Sequence, residues 1–254
     1  MKSFETDWLG SETIFYNTNS KKADKNINNL IDFKNSKICN DGLYYYLKYG
    51  YCVFGNTIFS NIKFLNPSSK IEIDSAKIKI IKIDDHWESF KKYSNPQDIF
   101  EKISSYLDSN LEKYDKNIVI PTSSGYDSRL MNVLCKKKDK IFSCSYGVSE
   151  NQENSHEVMI ARELSKKLNT RHEFIKLNNY FDFENEWYNL YGPNIHLNGH
   201  YHFEFFRNLL DKFKFLQSSI LISGIFGDVW SGKRSYESIE GPKDINKLSL
   251  SHDI

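Results

Sequence analysis

The stretch Ile118-Val119-Ile120-Pro121-Thr122-Ser123-Ser124-Gly125-Tyr126-Asp127-Ser128 constrains the fold of this chain more than any other. Its consecutive β-branched residues predict a buried strand, because a strand covered on both faces reads as one apolar run. A turn of small hydroxyl residues and one glycine follows, and residues 130–134 read as a helix. Strand, small-residue loop and helix, in that order, build an anion cradle. Loop amides and the positive end of the helix point at one place, and small side chains let an oxyanion come close.

The chain around this stretch repeats the same alternation. Residues 117–120, 140–146, 172–177 and 219–223 are predicted as strands. Between and before them, Ile99, Phe100, Ile103, Tyr106, Leu107 and Leu111 recur at helical spacing, as do Val158, Ala161, Leu164 and Leu168. Asn154 with Glu157 three residues later reads as a capping box for the second of these helices. Two more helices are predicted over residues 179–190 and 200–215. Strands alternating with helices predict an α/β fold, a parallel sheet with helices on both faces. Residues up to about 87 read differently, as a small, mainly β domain. They include a hairpin around Asp74-Ser75 and a tyrosine-rich helix near residues 43–51, and Asn95-Pro96 then breaks the chain. The expected division is residues 1–93 and 94–254.

Composition excludes several classes of function. A formal net charge of +1, with lysines interleaved among acidic residues, gives no basic face for nucleic acid. No apolar run approaches the ~20 residues of a membrane-spanning helix, and no basic-then-apolar leader opens the chain, so a cytoplasmic location and no membrane partner are expected. Cys39, Cys52, Cys135 and Cys144 lack CxxC spacing, so neither disulfides nor a zinc site are indicated.

The loop Ser123-Ser124-Gly125-Tyr126-Asp127-Ser128 resembles the Ser-Gly-Gly-x-Asp-Ser pyrophosphate loop of the N-type ATP pyrophosphatases, with Ser124 in place of one glycine. Within that group it is similar to the asparagine synthetases. Ser223-Gly224-Ile225-Phe226-Gly227-Asp228 resembles their second loop, Ser-Gly-Glu-Gly-x-Asp-Glu. The tyrosine-rich segment Gly42 to Tyr51 and the segment Phe64 to Ile71 look similar to the end of the glutaminase domain that precedes the synthetase domain. The resemblance implies an adenine nucleotide alpha hydrolase-like fold. It also implies an ATP-dependent, amide-forming ligase that activates a carboxylate as an acyl-adenylate and releases pyrophosphate. Its ligands would be ATP and Mg²⁺, with a small carboxylate and an amine or ammonia as substrates. Asp127 and Asp228 would hold the metal and act in catalysis. Ser123, Ser124, Gly125, Asp127, Ser128, Ser223 and Gly224 would hold the phosphates, and Tyr146-Gly147 would border the adenine and ribose.

The departures from the family carry equal information. No cysteine precedes Cys39, so the family's N-terminal nucleophile is missing and nitrogen is not expected from a glutaminase of this chain's own. Ile225 and Val229 stand where the second loop normally has glutamates, which puts asparagine itself in doubt as product. Set against the family's length the chain looks C-terminally truncated, or requires a second copy or a partner chain to complete the site. These losses keep open a second reading, a degenerate, non-catalytic relative that serves as a binding or scaffold module. His196, His200 and His202 with Glu204 offer metal-ligand chemistry, but no HExxH is present and imidazoles that cap or hydrogen-bond are the plainer expectation.

Overall fold

The computed structural model describes residues 2–74, 76–83, 95–194 and 199–224. Two compact units account for them, one built from residues up to 83 with residues 182–194 and 199–200, the other from residues 95–181 and 201–224.

The first unit holds two three-stranded antiparallel sheets. Strands β1 (Lys2–Thr6), β5 (Ser69–Ile73) and β6 (Ile78–Lys82) pair in the order β1-β5-β6, and β2 (Phe15–Asn17), β3 (Lys22–Asp24) and β4 (Ile62–Phe64) in the order β3-β2-β4. The expected hairpin is the β5–β6 pair, with Ile71 facing Ile80 across the ladder. Helix α1 (Asn40–Tyr49) ends at Gly50, which takes the left-handed conformation and donates its N–H to the Tyr46 carbonyl. Helix α5 (Glu184–Tyr191) packs in this unit although it follows the second unit's strands in sequence. Asn26 Nδ2 donates to the Asn189 carbonyl at 2.7 Å and Asn28 Nδ2 to the Tyr188 carbonyl at 2.8 Å.

The second unit is the expected α/β layer. Its strands β7 (Ile118–Pro121), β8 (Ile141–Ser145), β9 (Arg171–Phe174) and β10 (Ile220–Leu221) form one parallel sheet in the order β10-β7-β8-β9. Alternation along β7 fixes the two faces. Ile118 and Ile120 pack with Leu111, Cys135 and Ile141, beneath α2 (Pro96–Leu111) and α3 (Tyr126–Leu134). Val119 packs on the other face with Phe142, Cys144, Phe205 and Leu209, beneath α6 (His200–Lys212). Helix α4 (His156–Leu168) buries Val158 and Ala161 and lies against β8 and β9.

Two local expectations are corrected. Asn95-Pro96 is a helix start and not a break: the Asn95 side chain accepts from the Asp98 N–H, and Pro96 occupies the first turn, where no donor is needed. The capping box does not form. Asn154 lies in a 3-10 turn, the cap of α4 is Ser155, and Glu157 therefore falls one position too early to close the box. No helix among the described residues is long and apolar enough to cross a membrane.

Candidate functional site

The chain runs outward from β7 to β8 to β9 and then returns to the opposite side of β7 for β10. The direction of winding reverses between β7 and β10. In an open parallel sheet the crevice outside the carboxyl ends at such a reversal is where ligands bind. Both motif loops issue there, Ser123–Ser128 from β7 and Ser223-Gly224 from β10.

The two loops touch. A Cβ placed on Gly224 would lie 2.7 Å from the Ser128 nitrogen and 2.8 Å from the Asp127 carbonyl carbon. The backbone after β10 thus runs directly against the first turn of α3, an approach that only a residue without a side chain permits. Asp127 sits in that turn, half-buried. Asp228, its expected metal-binding partner, lies outside the described residues, as do Ile225, Val229 and His196.

The Ser123–Ser128 loop is held by its own hydroxyls. Ser123 N–H donates to Ser128 Oγ at 3.1 Å, the two hydroxyls lie 3.3 Å apart, and Gly125 N–H donates to Ser123 Oγ at 3.1 Å. Sequence reasoning assigned both hydroxyls to phosphate. In this arrangement they shape the loop, and Ser124 takes no part in the web. Ser124 keeps a negative φ, so replacing a glycine there introduces no left-handed strain. Gly125 is the N-cap of α3, with φ −67° and ψ 149°, and no side chain caps the helix. Among the described residues no side chain takes the first-turn amides of α3. The loop is open: Ser123 and Gly125 are exposed, and Tyr126 is 83% exposed. A Cβ on Gly125 would meet only Ser123 Oγ, at 3.2 Å.

Arg129 was not singled out by sequence. Its Nε donates to the Gly125 carbonyl at 3.3 Å, and its guanidinium lies 4.5 Å from the centre of the Tyr126 ring. A cation thus stands beside the open loop. The signal was present as the fourth residue after the loop glycine, one helical turn on.

Tyr146-Gly147 is placed differently. Gly147 is buried, and a Cβ there would meet the Gln152 carbonyl at 2.3 Å and Ser155 Oγ at 2.5 Å. Its lack of a side chain is explained by the turn folded over it. Tyr146 leans toward α6, its hydroxyl 3.3 Å from His202 Nδ1, and burial pushes its phenol up from the ordinary range. Burial lowers the pKa of the His202 imidazole below its ordinary value. His200 packs edge-on against Trp187 with centroids 4.7 Å apart. Among the described residues no group of three His, Cys, Asp or Glu side chains gathers to hold a metal. A magnesium ion at the loop would accordingly have Asp127 as its described protein ligand, with phosphate oxygens for company, an oxygen-only set of the kind Mg²⁺ takes.

One cavity, of about 490 Å³, lies in the first unit and not at the loop, lined by Lys21, Lys22, Asp24 and Asp74 among others. Its carboxylates already accept from backbone N–H groups, Asp24 from Asn26 and Asp74 from Ala76 and Lys77.

No protein-family model matches the chain, and no curated protein matches it. Among solved structures it is similar to an NH3-dependent NAD synthetase from Campylobacter jejuni, a structure that contains a nitrate ion. The identity is 20%, the TM-score 0.40, and the match covers 57% of this chain. The chain spans 63% of the length of that protein.

Proposed function

We propose that this chain is an ATP-dependent, amide-forming ligase of the N-type ATP pyrophosphatase kind. One observation carries the reading: the loop after β7 and the loop after β10 meet at the point where the sheet reverses, at a helix N-terminus whose cap, the exposed Gly125, has no side chain. An uncapped helix start offers amides and a positive dipole end to an oxyanion. The support is the loop geometry together with the sequence motifs, independent of the slight likeness to the NAD synthetase.

In this reading the Ser123–Ser128 loop takes the β- and γ-phosphates of ATP through the α3 amides, with Ser124 and, after rearrangement of their web, Ser123 and Ser128 adding hydroxyls. Ser223-Gly224 closes the other side. Asp127 and Asp228 would hold Mg²⁺, which when bound offsets charge on the departing pyrophosphate. A substrate carboxylate attacks the α-phosphorus, pyrophosphate leaves, and an amine or ammonia takes the acyl group from the adenylate, releasing AMP. Positioning the two reactants in line is the chief catalytic device, worth of order 7–11 kcal/mol in favourable cases.

Nucleobase thiolation, another chemistry of such loops, calls for reactive thiols. Cys135 and Cys144, the cysteines of the unit that holds the loop, are buried, and burial raises the pKa of each. A second reading keeps support of its own. The mutual bonding of Ser123 and Ser128 suits a loop that binds a nucleotide without turning it over, as a scaffold module would.

The test is ATP–pyrophosphate exchange screened over pooled carboxylic acids. Exchange that depends on one acid, and that Asp127→Asn lowers by about 100-fold or more, is the expected outcome. Full exchange by Asp127→Asn refutes the assignment, and ATP binding without exchange for any acid favours the scaffold.

A further inference from the structure

Helix α3 turns polar residues inward beside its apolar ones: Leu134 is buried and Met131 packs on the core, yet two other inward positions are polar. Leu130 is 40% and Val133 45% exposed, whereas Ser128 and Asn132 are buried, Asn132 completely. Asparagine is a poor residue for a helix interior, and a buried amide needs partners for each of its polar atoms. Asn132 has partners for only part of its amide. Its Nδ2 donates to Thr122 Oγ1 at 2.8 Å and to the Ser128 carbonyl at 2.9 Å. Its Oδ1 is buried with no partner among the described residues. The orientation is fixed by chemistry, since a backbone carbonyl can only accept, so the nitrogen must face Ser128.

The Thr122 hydroxyl is saturated. It donates to the Ile120 carbonyl at 2.9 Å and accepts from Asn132 Nδ2 and, at 2.9 Å, from Ser143 Oγ on β8. Thr122 is the residue before the loop, and Ser128 is the residue that closes it. A single amide therefore ties the two stems of the loop together from beneath, and through Ser143 ties both to the neighbouring strand. At the far end of α3, Lys138 Nζ donates to the carbonyls of Asn132, Val133 and Cys135 and so caps the helix C-terminus.

We propose that Asn132 is a positioning residue that sets the span between the Ser123 end of the loop and the α3 amides, and so the fit of a pyrophosphate group. The proposal rests on the anion-binding reading of the loop. A residue serving stability alone would be apolar here, because leucine has the same branched outline and leaves no buried side-chain carbonyl orphaned. The prediction therefore separates binding from stability.

The full chain and three variants, Asn132→Leu, Thr122→Val and Thr122→Ser, are titrated with Mg·ATP and with pyrophosphate, and each is melted. Asn132→Leu is expected to weaken both ligands about tenfold or more with its melting temperature unchanged or raised. Thr122→Val is expected to do the same to binding, and the Asn132→Leu/Thr122→Val pair to lose clearly less than the sum of the two, because both remove the bond between them. Thr122→Ser, which keeps the hydroxyl, is expected to stay within about twofold of wild type. Asn132→Leu binding within twofold of wild type, or an additive double variant, overturns the proposal while leaving the anion-binding reading standing. Wild type that binds neither ligand refutes that reading, and this proposal with it. If Asn132→Leu does not fold, Thr122→Val against Thr122→Ser decides: equal binding by the two overturns the proposal.

Discussion

At the carboxyl edge of the parallel sheet, Gly125 follows β7 and Gly147 follows β8, each in a turn leading toward a helix. Gly125 stands exposed with almost nothing where a side chain would go, whereas Gly147 is roofed by the Gln152 carbonyl and the Ser155 hydroxyl. Neither has a positive φ. Conformation explains neither glycine. Gly147 is accounted for by its own chain folding over it. Gly125 has no such account from within the described residues, and the proposed phosphate site would supply one. In sequence the two turns looked like equal parts of one nucleotide site. In the fold, only the first has its backbone open to a ligand.

The largest effect that would sharpen this contrast is on stability. Gly147→Ala and Gly224→Ala both force a methyl group against backbone or a fixed hydroxyl, and each is expected to cost about 1–3 kcal/mol in chemical denaturation. Gly125→Ala is expected to stay within about 0.5 kcal/mol of wild type while weakening ATP binding. If Gly125→Ala proved as damaging to stability as Gly147→Ala, the two turns would be alike after all.

A smaller effect concerns the sheet face beneath the second turn. His172 Nε2 lies 2.9 Å from Ser145 Oγ, and burial lowers its pKa from 6.5 to about 4. The native ring is thus neutral where the unfolded one is charged. Above pH 6.5 the residue adds no pH dependence. As pH falls from 6.5 toward 4 the unfolded chain takes up a proton that the native chain refuses, so stability drops. The loss is complete below about pH 4 and, discounted for partial exposure, is on the order of 1–2 kcal/mol. Denaturation midpoints of wild type and His172→Asn across that window test this, the variant losing the slope. Smallest of all, Ser124→Gly is expected to lower stability by up to about 1 kcal/mol through added unfolded-state freedom. A gain in stability would mean that the serine strains the loop.

The second unit was more legible than the first. Ile118-Val119-Ile120 and the Phe142, Cys144 alternation announced β7 and β8, because strands covered on both faces are written in apolar residues. Strand β1, Lys-Ser-Phe-Glu-Thr, went unread because an edge strand with mostly exposed side chains carries little pattern. Helix α5 could not be assigned to the first unit from its position, since its partners Asn26 and Asn28 are some 160 residues away in sequence. Asp127 and Gly224 were legible as motif residues. Thr122 and Asn132 were not, because their importance lies in a buried hydrogen bond between a strand end and a helix face, and a polar residue carries no apolar spacing to mark that it turns inward.

The account stands or falls on the acidic side chain in the first turn of α3. Calorimetric titration of ATP into wild type and Asp127→Asn, with and without Mg²⁺, tests it most directly. The predicted result is binding by wild type that Mg²⁺ strengthens, and an affinity in Asp127→Asn at least about tenfold weaker in Mg²⁺ with no response to the metal. Equal, metal-responsive binding by the two proteins would contradict it.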